Sequence, residues 1–402
     1  MRRREFLKSG SLALTLPLLA PRLAWSAEGP TNRNVLVCLF LRGGADGLNM
    51  VVPYAEDRYY STRPTLAIPP PGEPDGVLDL DGFFGLHPGL GALQPLYGAG
   101  ALAVVHAAGS PDESRSHFDA QDFMETGYPG KGLVFDGWLN RHLHGLPEIS
   151  EEGVFGAVGL GSTVPLSLRG EVPAMGLNSV EDFDLAVPVA RKQALRQALT
   201  RFHAGTDPVA VQGRQVFEAI DTLAEVSAGA PSEVDYPPGQ FGQQLAGLAA
   251  LLKADIGVEV ACVDLGGWDH HDRETAQLSP LLTQLGEGLA AFYADLGEKT
   301  QSVTVVAMTE FGRRVEENAS AGTDHGHASL MLALGAGVNG GRVFGSWPGL
   351  GVADLNRGDL EVTTDFRSVL GEALIQGRGE TDLEAVFPGF SGTTAPGIFR
   401  PA

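Results

Sequence analysis

The sequence predicts an α/β protein with a doubly wound, mostly parallel sheet that carries helices on both faces. Apolar runs of five to seven residues, rich in β-branched side chains, recur along the chain, and segments of helical periodicity lie between them. Runs that are apolar throughout are typical of strands buried on both faces, as in parallel sheets. The expected strands are Val35–Leu41, Ala101–Val105, Val258–Val263, Val303–Met308 and Leu330–Leu334.

The clearest helix is expected at Leu278–Lys299, where leucines recur on one face. The length of 402 residues allows one large domain or two smaller ones. We predict a single domain over residues 28–402, with a helical insertion around residues 180–255. Residues 61–85 are rich in Pro, Gly and Asp and are expected to form a surface excursion. Further helices are expected at Leu86–Tyr97, Ala190–His203, Val209–Ser227 and Phe241–Ala254.

The N-terminus has the features of an export signal. Arg3-Arg4-Glu5-Phe6-Leu7-Lys8 is close to the twin-arginine consensus, an apolar stretch follows, and small residues occupy the expected cleavage region. We predict a twin-arginine signal peptide over residues 1–27 and a periplasmic or secreted mature protein. The alternative is an amphipathic helix of the mature fold. The apolar stretch Ser11–Ala20 is too short for a stable membrane span.

Charge and cysteine content exclude several classes. The formal net charge of −21 repels phosphate backbones, so we expect no nucleic-acid partner. The two cysteines, Cys38 and Cys262, each lie in an apolar run and are expected to be buried thiols, with a disulfide as the alternative if their strands are neighbours. No Cys-x-x-Cys pair occurs, which excludes a thiolate zinc site.

Polar clusters follow the expected strands at the points where the strands end. In open α/β sheets, ligands bind at the carboxyl ends of the strands. Carboxylate and imidazole groups in close spacing suit Zn²⁺ or a similar divalent ion, with Mn²⁺, Mg²⁺ or Ca²⁺ as alternatives. The competing interpretations are an Asp-Gly turn at Asp46, a capping role for Asp269 and a solvated loop around Asp324. The candidate metal ligands are Asp46, Asp269, His271, Asp324, His325 and His327.

Candidate catalytic groups accompany these ligands. Ser116 lies where a loop enters a helix, and a nearby divalent ion would lower the pKa of its hydroxyl; the alternative is a plain helix cap, and Ser114 competes for either role. Glu310 and Arg313 are candidates for orienting ligands or clamping an anion, against ordinary ion pairs on a solvated helix. His87, His106 and His142 lack a partnered motif, and we interpret them as structural.

Several stretches together resemble the bacterial domain-of-unknown-function 1501 family, which is placed in the alkaline-phosphatase-like superfamily beside sulfatases and phosphomutases. The resemblance implies an alkaline-phosphatase-like α/β fold that holds one or two divalent ions. It implies that Asp46 is the aspartate after the first strand and that Ser116 is the nucleophile. It further implies that Asp269 with His271, and Asp324 with His325, are late ligand pairs, with His327 as the final histidine. The stretches are FLRGGADGLNMVVPY, SRSHFDAQDFME, DLGGWDHH, TEFGRRVEEN, GTDHGH, GGRVFGSWPGL and LEVTTDFRSVLGE.

The sequence departs from the superfamily pattern in three ways. The pair Asp269-x-His271 is closer than the superfamily spacing, no histidine follows His327, and the Cys-x-Pro-x-Arg signature of formylglycine sulfatases is absent. From the polar clusters at the strand ends and the resemblance, we predict an exported metal-dependent hydrolase of a phosphate or sulfate ester, with a saccharide as one candidate carrier. The alternatives are a non-catalytic envelope binding or assembly module with a structural metal, partnered by an exported protein of the domain-of-unknown-function 1800 type, and an exported transferase that uses the same site.

Overall fold

The computed structural model describes residues 34–132, 134–146, 155–181, 183–229, 232–392 and 397–401. The predicted signal peptide, residues 1–27, lies outside the described residues, so export stays a prediction. In the part of the chain that the structure describes, no helix combines the length and the apolar character needed to cross a membrane.

Strands and helices alternate along most of the chain. The strands are β1 (Val35–Arg42), β2 (Val51–Val52), β3 (Leu78–Asp79), β4 (Gly85–Leu86), β5 (Leu102–Gly109), β6 (Ala157–Leu160), β7 (Met175–Leu177), β8 (Val260–Gly266), β9 (Val303–Met308), β10 (Arg313–Glu317), β11 (Thr323–His325), β12 (Ser329–Gly335), β13 (Val343–Phe344) and β14 (Thr364–Asp365). The helices are α1 (Gly47–Met50), α2 (Asp57–Thr62), α3 (Gln94–Gly98), α4 (His117–Thr126), α5 (Trp138–Gly145), α6 (Val189–Phe202), α7 (Pro208–Ser227), α8 (Gln240–Lys253), α9 (Glu274–Leu296), α10 (Phe366–Arg378) and α11 (Leu383–Val386).

The central sheet confirms the predicted fold class. Its strand order is β13-β5-β12-β9-β1-β8-β6-β7, and β14 pairs with β5. Neighbouring strands pair in parallel except at β12, which runs antiparallel to both β5 and β9. The reversal follows from the connection: the antiparallel pair β10–β11, rather than a crossover helix, joins β9 to β12.

The predicted strands are all present, with shifted ends. The run Val303–Met308 is β9 as predicted, whereas the run Ala101–Val105 extends to Gly109, so His106 lies inside β5. No sequence pattern predicts β6 and β7, which are four and three residues long and extend the sheet beyond β8. Short strands at a sheet edge carry too little pattern for recognition by periodicity.

Both faces of the sheet are covered, as the continuous apolar runs predict. Successive residues of β1 alternate between two core clusters, with Val37 and Leu39 in one and Leu36 and Cys38 in the other. Helices α8 and α9 contribute to the first cluster, and α5 and α10 contribute to the second. The layers are therefore helix, sheet, helix, with the strand ends free to carry a site.

Cys38 and Cys262 lie opposite each other on the neighbouring strands β1 and β8. Both are buried free thiols, which decides between the two alternatives that the sequence left open. Burial raises the pKa of Cys38 to about 12 and also raises the pKa of Cys262, so both remain protonated and unreactive near neutral pH.

His106 is held neutral inside β5. Its Nε2–H donates to the carbonyl oxygen of Val51 at 2.9 Å, and its Nδ1 accepts from the amide of Ala107 at 2.9 Å. A second proton would therefore break an existing hydrogen bond in a site that is 2 % exposed. Burial lowers the pKa of His106 to about 4, and burial lowers that of His87 to about 4 as well.

We expect the free energy of unfolding to fall as the pH is lowered from about 6.5 to about 4. As the pH falls, the histidines of the unfolded chain take up protons before the buried histidines of the folded chain do, so acidification favours unfolding. For a histidine whose pKa is lowered to about 4, the free energy of unfolding falls by up to about 3 kcal/mol. Urea unfolding at several pH values measures the slope. The variant His106→Gln should have a shallower slope than the wild type. His144→Gln, at a position with a 64 % exposed side chain, is the matched control and should keep the wild-type slope.

Candidate metal centre

The carboxyl ends of β1, β5, β8 and β9 lie at one edge of the sheet because these strands share a direction. The antiparallel strand β12 begins at the same edge, and β11 just before it carries His325. The β1 and β8 loops approach closely: a Cβ atom at Gly43, where φ is +125°, would lie 2.8 Å from the backbone nitrogen of Asp269. This edge gathers polar side chains from distant parts of the sequence.

His117, Asp269 and His325 form a compact cluster at this edge. One potential ligand atom from each lies within 4.8 Å of those of the other two. The Nε2 atoms of His117 and His325 are 3.0 Å apart, and His325 Nε2 lies 3.1 Å from Asp269 Oδ1. His271 adjoins the cluster, with its Nε2 2.9 Å from His325 Nε2 and 3.0 Å from Asp269 Oδ1. Two nitrogens and a carboxylate at this spacing are the donor set of a zinc-type site.

Hydrogen bonds on the far side of two imidazole rings fix their tautomers. His325 Nδ1 lies 2.9 Å from the carbonyl oxygen of Arg115, which only accepts, so Nδ1 carries the hydrogen. His117 Nδ1 donates in the same way to Glu310 Oε1 at 2.7 Å. In the neutral form, each ring directs its Nε2 lone pair into the cluster; the hydrogen bond to Glu310 raises the pKa of His117. Two lone pairs 3.0 Å apart repel each other unless a cation or a proton lies between them, so these residues fit a divalent ion.

Glu310 is a positioning residue for His117. Only 1 % of it is exposed, and its Oε1 also accepts from the amide of Gly43 at 2.9 Å and from Gln121 Nε2 at 2.8 Å. Burial alone would raise the pKa of Glu310, but the hydrogen bonds from His117 and Gln121 outweigh it and hold the pKa below its usual range. The carboxylate is thus ionised and fixed behind the ring.

Arg313 holds Asp269 and ties the loops of the site together. Its guanidinium donates to Asp269 Oδ1 at 2.7 Å, to the carbonyl oxygen of Trp268 at 3.0 Å and to that of Gly44 at 2.6 Å. Burial tends to raise the pKa of Asp269, but the hydrogen bond from Arg313 and the charge of its guanidinium lower it to about 2. The donors of Arg313 are engaged within the protein, so the side chain positions Asp269 rather than clamping a free anion.

Of the six predicted ligands, Asp269 and His325 lie in the three-residue cluster, His271 adjoins it, and the other three lie outside it. Asp46 is 2 % exposed and forms an ion pair with Arg63. Asp324 is exposed and lies 3.4 Å from the Nδ1 of His271, on the outer side of that ring. His327 is buried and donates from Nε2 to the carbonyl oxygen of Ser110 at 2.9 Å. Ligand roles for these three residues stay predictions.

Ser116 caps helix α4. Its Oγ accepts from the amide of Asp119 at 3.4 Å, and its extended backbone is that of an N-cap residue. The next residue, His117, is not among the predicted ligands, although it lies in the polar stretch after β5. Phe311 packs against the rings of both His117 and His325, with centroid distances of 4.8 and 4.9 Å.

Residues 85–369 match the family described as "Protein of unknown function (DUF1501)". The chain belongs to this family. That membership confirms the resemblance found in the sequence motifs. A search of the curated proteins finds no match.

Distant matches among solved structures include three proteins. The sulfatase PsFucS1 from Pseudoalteromonas sp. shares 12 % sequence identity, and the match covers 92 % of this chain and 73 % of that chain with a TM-score of 0.38. The C-terminal periplasmic domain of EcEptC from Escherichia coli in complex with Zn shares 9 % identity, and the match covers 79 % of this chain and 77 % of that chain with a TM-score of 0.33. Alkaline phosphatase from the Antarctic bacterium TAB5 shares 9 % identity, and the match covers 76 % of this chain and 92 % of that chain with a TM-score of 0.33.

Proposed function

We propose that this protein is a metal-dependent hydrolase of phosphate or sulfate esters, exported to the periplasm or beyond. One observation carries the proposal: the Nδ1 atoms of His117 and His325 are both committed to acceptors, so that both Nε2 lone pairs face each other and Asp269. Such an arrangement presents two imidazole nitrogens and a carboxylate to a bound cation.

The residues that would hold the ion are His117, Asp269 and His325, with His271 beside them. The mixed nitrogen and oxygen donors favour Zn²⁺, with Mn²⁺, Mg²⁺ and Ca²⁺ as alternatives. When bound, a divalent ion would neutralise charge on the ester and lower the pKa of a nucleophile.

Ser116 is the proposed nucleophile, because it directly precedes His117 at the N-terminus of the ten-residue helix α4. Its oxygen would bond to phosphorus or sulfur while the alcohol oxygen of the ester leaves and takes up a proton. Water would then release phosphate or sulfate and restore the Ser116 hydroxyl. The free amides of the first turn of α4 favour the negative charge of the transferring group.

A second candidate is a non-catalytic envelope module with a structural metal. The capping contact of Ser116 favours it, because a cap fully explains a serine at this position. In this case the expected partner is an exported protein of the domain-of-unknown-function 1800 type.

Metal analysis combined with an ester screen distinguishes the two candidates. We expect the purified mature protein to hold about one equivalent of divalent metal and to hydrolyse 4-nitrophenyl phosphate or 4-nitrophenyl sulfate. Treatment with a chelator should abolish turnover, and added Zn²⁺ or Mn²⁺ should restore it. Absence of metal together with no affinity for added ions would overturn the proposal. Bound metal without turnover of any ester would favour the binding module.

A further inference from the structure

A polar pocket of about 450 Å³ adjoins the candidate metal centre. Arg115 lines it and also links it to the centre, because its carbonyl oxygen accepts from His325 Nδ1. His327, two residues after His325, lines the pocket from another side. We call this space the arginine pocket, because it is lined by Arg115, Arg314 and Arg357, together with His327, Asn356 and Asp359.

Two buried acceptors of the arginine pocket have no hydrogen-bond partner among the described residues. They are Nδ1 of His327 and Oδ1 of Asp359. His327 is 8 % exposed and Asp359 is 2 % exposed. The Nε2–H of His327 donates to the carbonyl oxygen of Ser110, which leaves Nδ1 as an acceptor. Buried acceptors are costly without a donor, so the pocket suits a ligand that brings hydroxyl groups.

The rim of the arginine pocket is cationic. Arg357 has a 71 % exposed side chain and pairs with Glu113, while Arg115 pairs with the buried Asp359. Arg314 Nε lies 3.8 Å from Asp359 Oδ1, beyond hydrogen-bond distance. Three guanidinium groups face only two carboxylates here, so a net positive charge remains for an anionic ligand. This local charge contrasts with the −21 of the whole chain.

We propose that the arginine pocket binds an anionic saccharide unit, with sugar hydroxyls donating to His327 Nδ1 and Asp359 Oδ1 and the negative group facing Arg314 and Arg357. The inference rests on the proposed function only where it identifies this sugar as the carrier of the scissile ester. The pocket then determines which esters reach the metal centre. Binding of the saccharide itself does not depend on whether the protein hydrolyses an ester.

Three probes without a scissile ester test the pocket by isothermal titration calorimetry on the metal-loaded protein. D-glucuronate offers hydroxyls and a charge, D-glucose offers hydroxyls only, and acetate offers a charge only. We expect D-glucuronate to bind at least about tenfold more tightly than either of the other two probes. Equal affinities for D-glucuronate and acetate would reduce the pocket to a simple anion site and overturn the inference.

Two variants locate the binding. Arg357→Ala removes an exposed rim cation, and Arg314→Ala removes the guanidinium whose Nε lies beyond hydrogen-bond distance of Asp359. Both should lose about tenfold in affinity for D-glucuronate. Arg196→Ala, on α6, removes an arginine that pairs with Asp221 and should bind like the wild type. Unchanged affinity for D-glucuronate in both pocket variants would contradict the inference. Wild-type affinity in Arg357→Ala alone would show that Arg357 does not contribute to binding the anionic group.

Measurements of metal content and of 4-nitrophenyl ester turnover separate this inference from the proposed function. If D-glucuronate binds and the variants weaken it, but no ester is hydrolysed, the pocket stands and the hydrolase fails. If aryl esters are hydrolysed and D-glucuronate does not bind, the hydrolase stands and the pocket fails.

Discussion

His325→Ala is expected to lose bound metal and to lower ester turnover at least about a thousandfold, the equivalent of ~4 kcal/mol in the barrier. His325 contributes the nitrogen that contacts the other members of the centre, His117, His271 and Asp269. Without this imidazole, the ion would lose the ligand that lies close to all three of the other residues. The measurements are metal content by mass spectrometry and kcat/KM on the best ester found in the screen.

A graded series supports this experiment. Glu310→Gln keeps the side-chain size but weakens the hold on His117, and its metal affinity should fall by about 10–100-fold. His144→Ala replaces an exposed histidine on α5 that pairs with Glu171 and should retain full metal content. Full metal content in His325→Ala would rule out the centre described here. A far-UV circular dichroism spectrum like that of the wild type would exclude loss of metal through unfolding of the variant.

The strand ends explain why the sequence predicted part of this centre. Asp269 and His325 directly follow or precede long apolar strands, and parallel strands bring their carboxyl ends together whatever the details of packing. The sheet class and β9 were predictable for the same reason, because burial on both faces enforces apolar runs. The direction of β12 was not predictable from its own residues, since a strand that is apolar on both faces looks the same in either orientation.

His117 shows what the sequence could not provide. Its role follows from the contact with Glu310, which lies 193 positions away along the chain. Neither residue stands in a spaced motif with the other. Asp46 shows the converse: its position after β1 matches the ligand pattern, yet Arg63, 17 positions away, pairs with it. No pattern in the sequence assigns Arg63 as the partner of Asp46.

Arg63→Ala is expected to lower the free energy of unfolding by about 3–5 kcal/mol. Arg63 is fully buried and donates to Asp46, to the carbonyl oxygen of Val315 at 3.0 Å and to that of Arg314 at 2.9 Å. The neighbouring Glu274 is also fully buried, and burial together with the Asp46 charge raises its pKa well above the usual value. Arg63 is the cation that pairs with Asp46.

Removal of the guanidinium would leave the Asp46 carboxylate buried and unpaired. Burial alone would raise the pKa of Asp46, and the pairing with Arg63 holds it below its usual value in the wild type. In Arg63→Ala this pKa should rise, so the destabilisation relative to the wild type should shrink as the pH falls and Asp46 takes up a proton. Urea unfolding of both proteins at neutral and acidic pH measures this. A loss below about 1 kcal/mol at neutral pH would contradict a buried pair.

The same variant tests whether Asp46 is a metal ligand. A guanidinium that engages both carboxylate oxygens provides the positive charge that a cation at Asp46 would otherwise provide. If the site accepts a divalent ion, added Zn²⁺ or Mn²⁺ should restore part of the stability that Arg63→Ala loses, because ligands that bind only the folded state stabilise it. Arg63→Met/Asp46→Asn lacks both charges, so added metal should stabilise it only as much as it stabilises the wild type, through the centre at His117, Asp269 and His325. A metal-dependent gain that is no larger in Arg63→Ala than in the wild type would assign the charge balance at Asp46 to Arg63 alone and leave His117, Asp269 and His325 as the core of a single-ion centre.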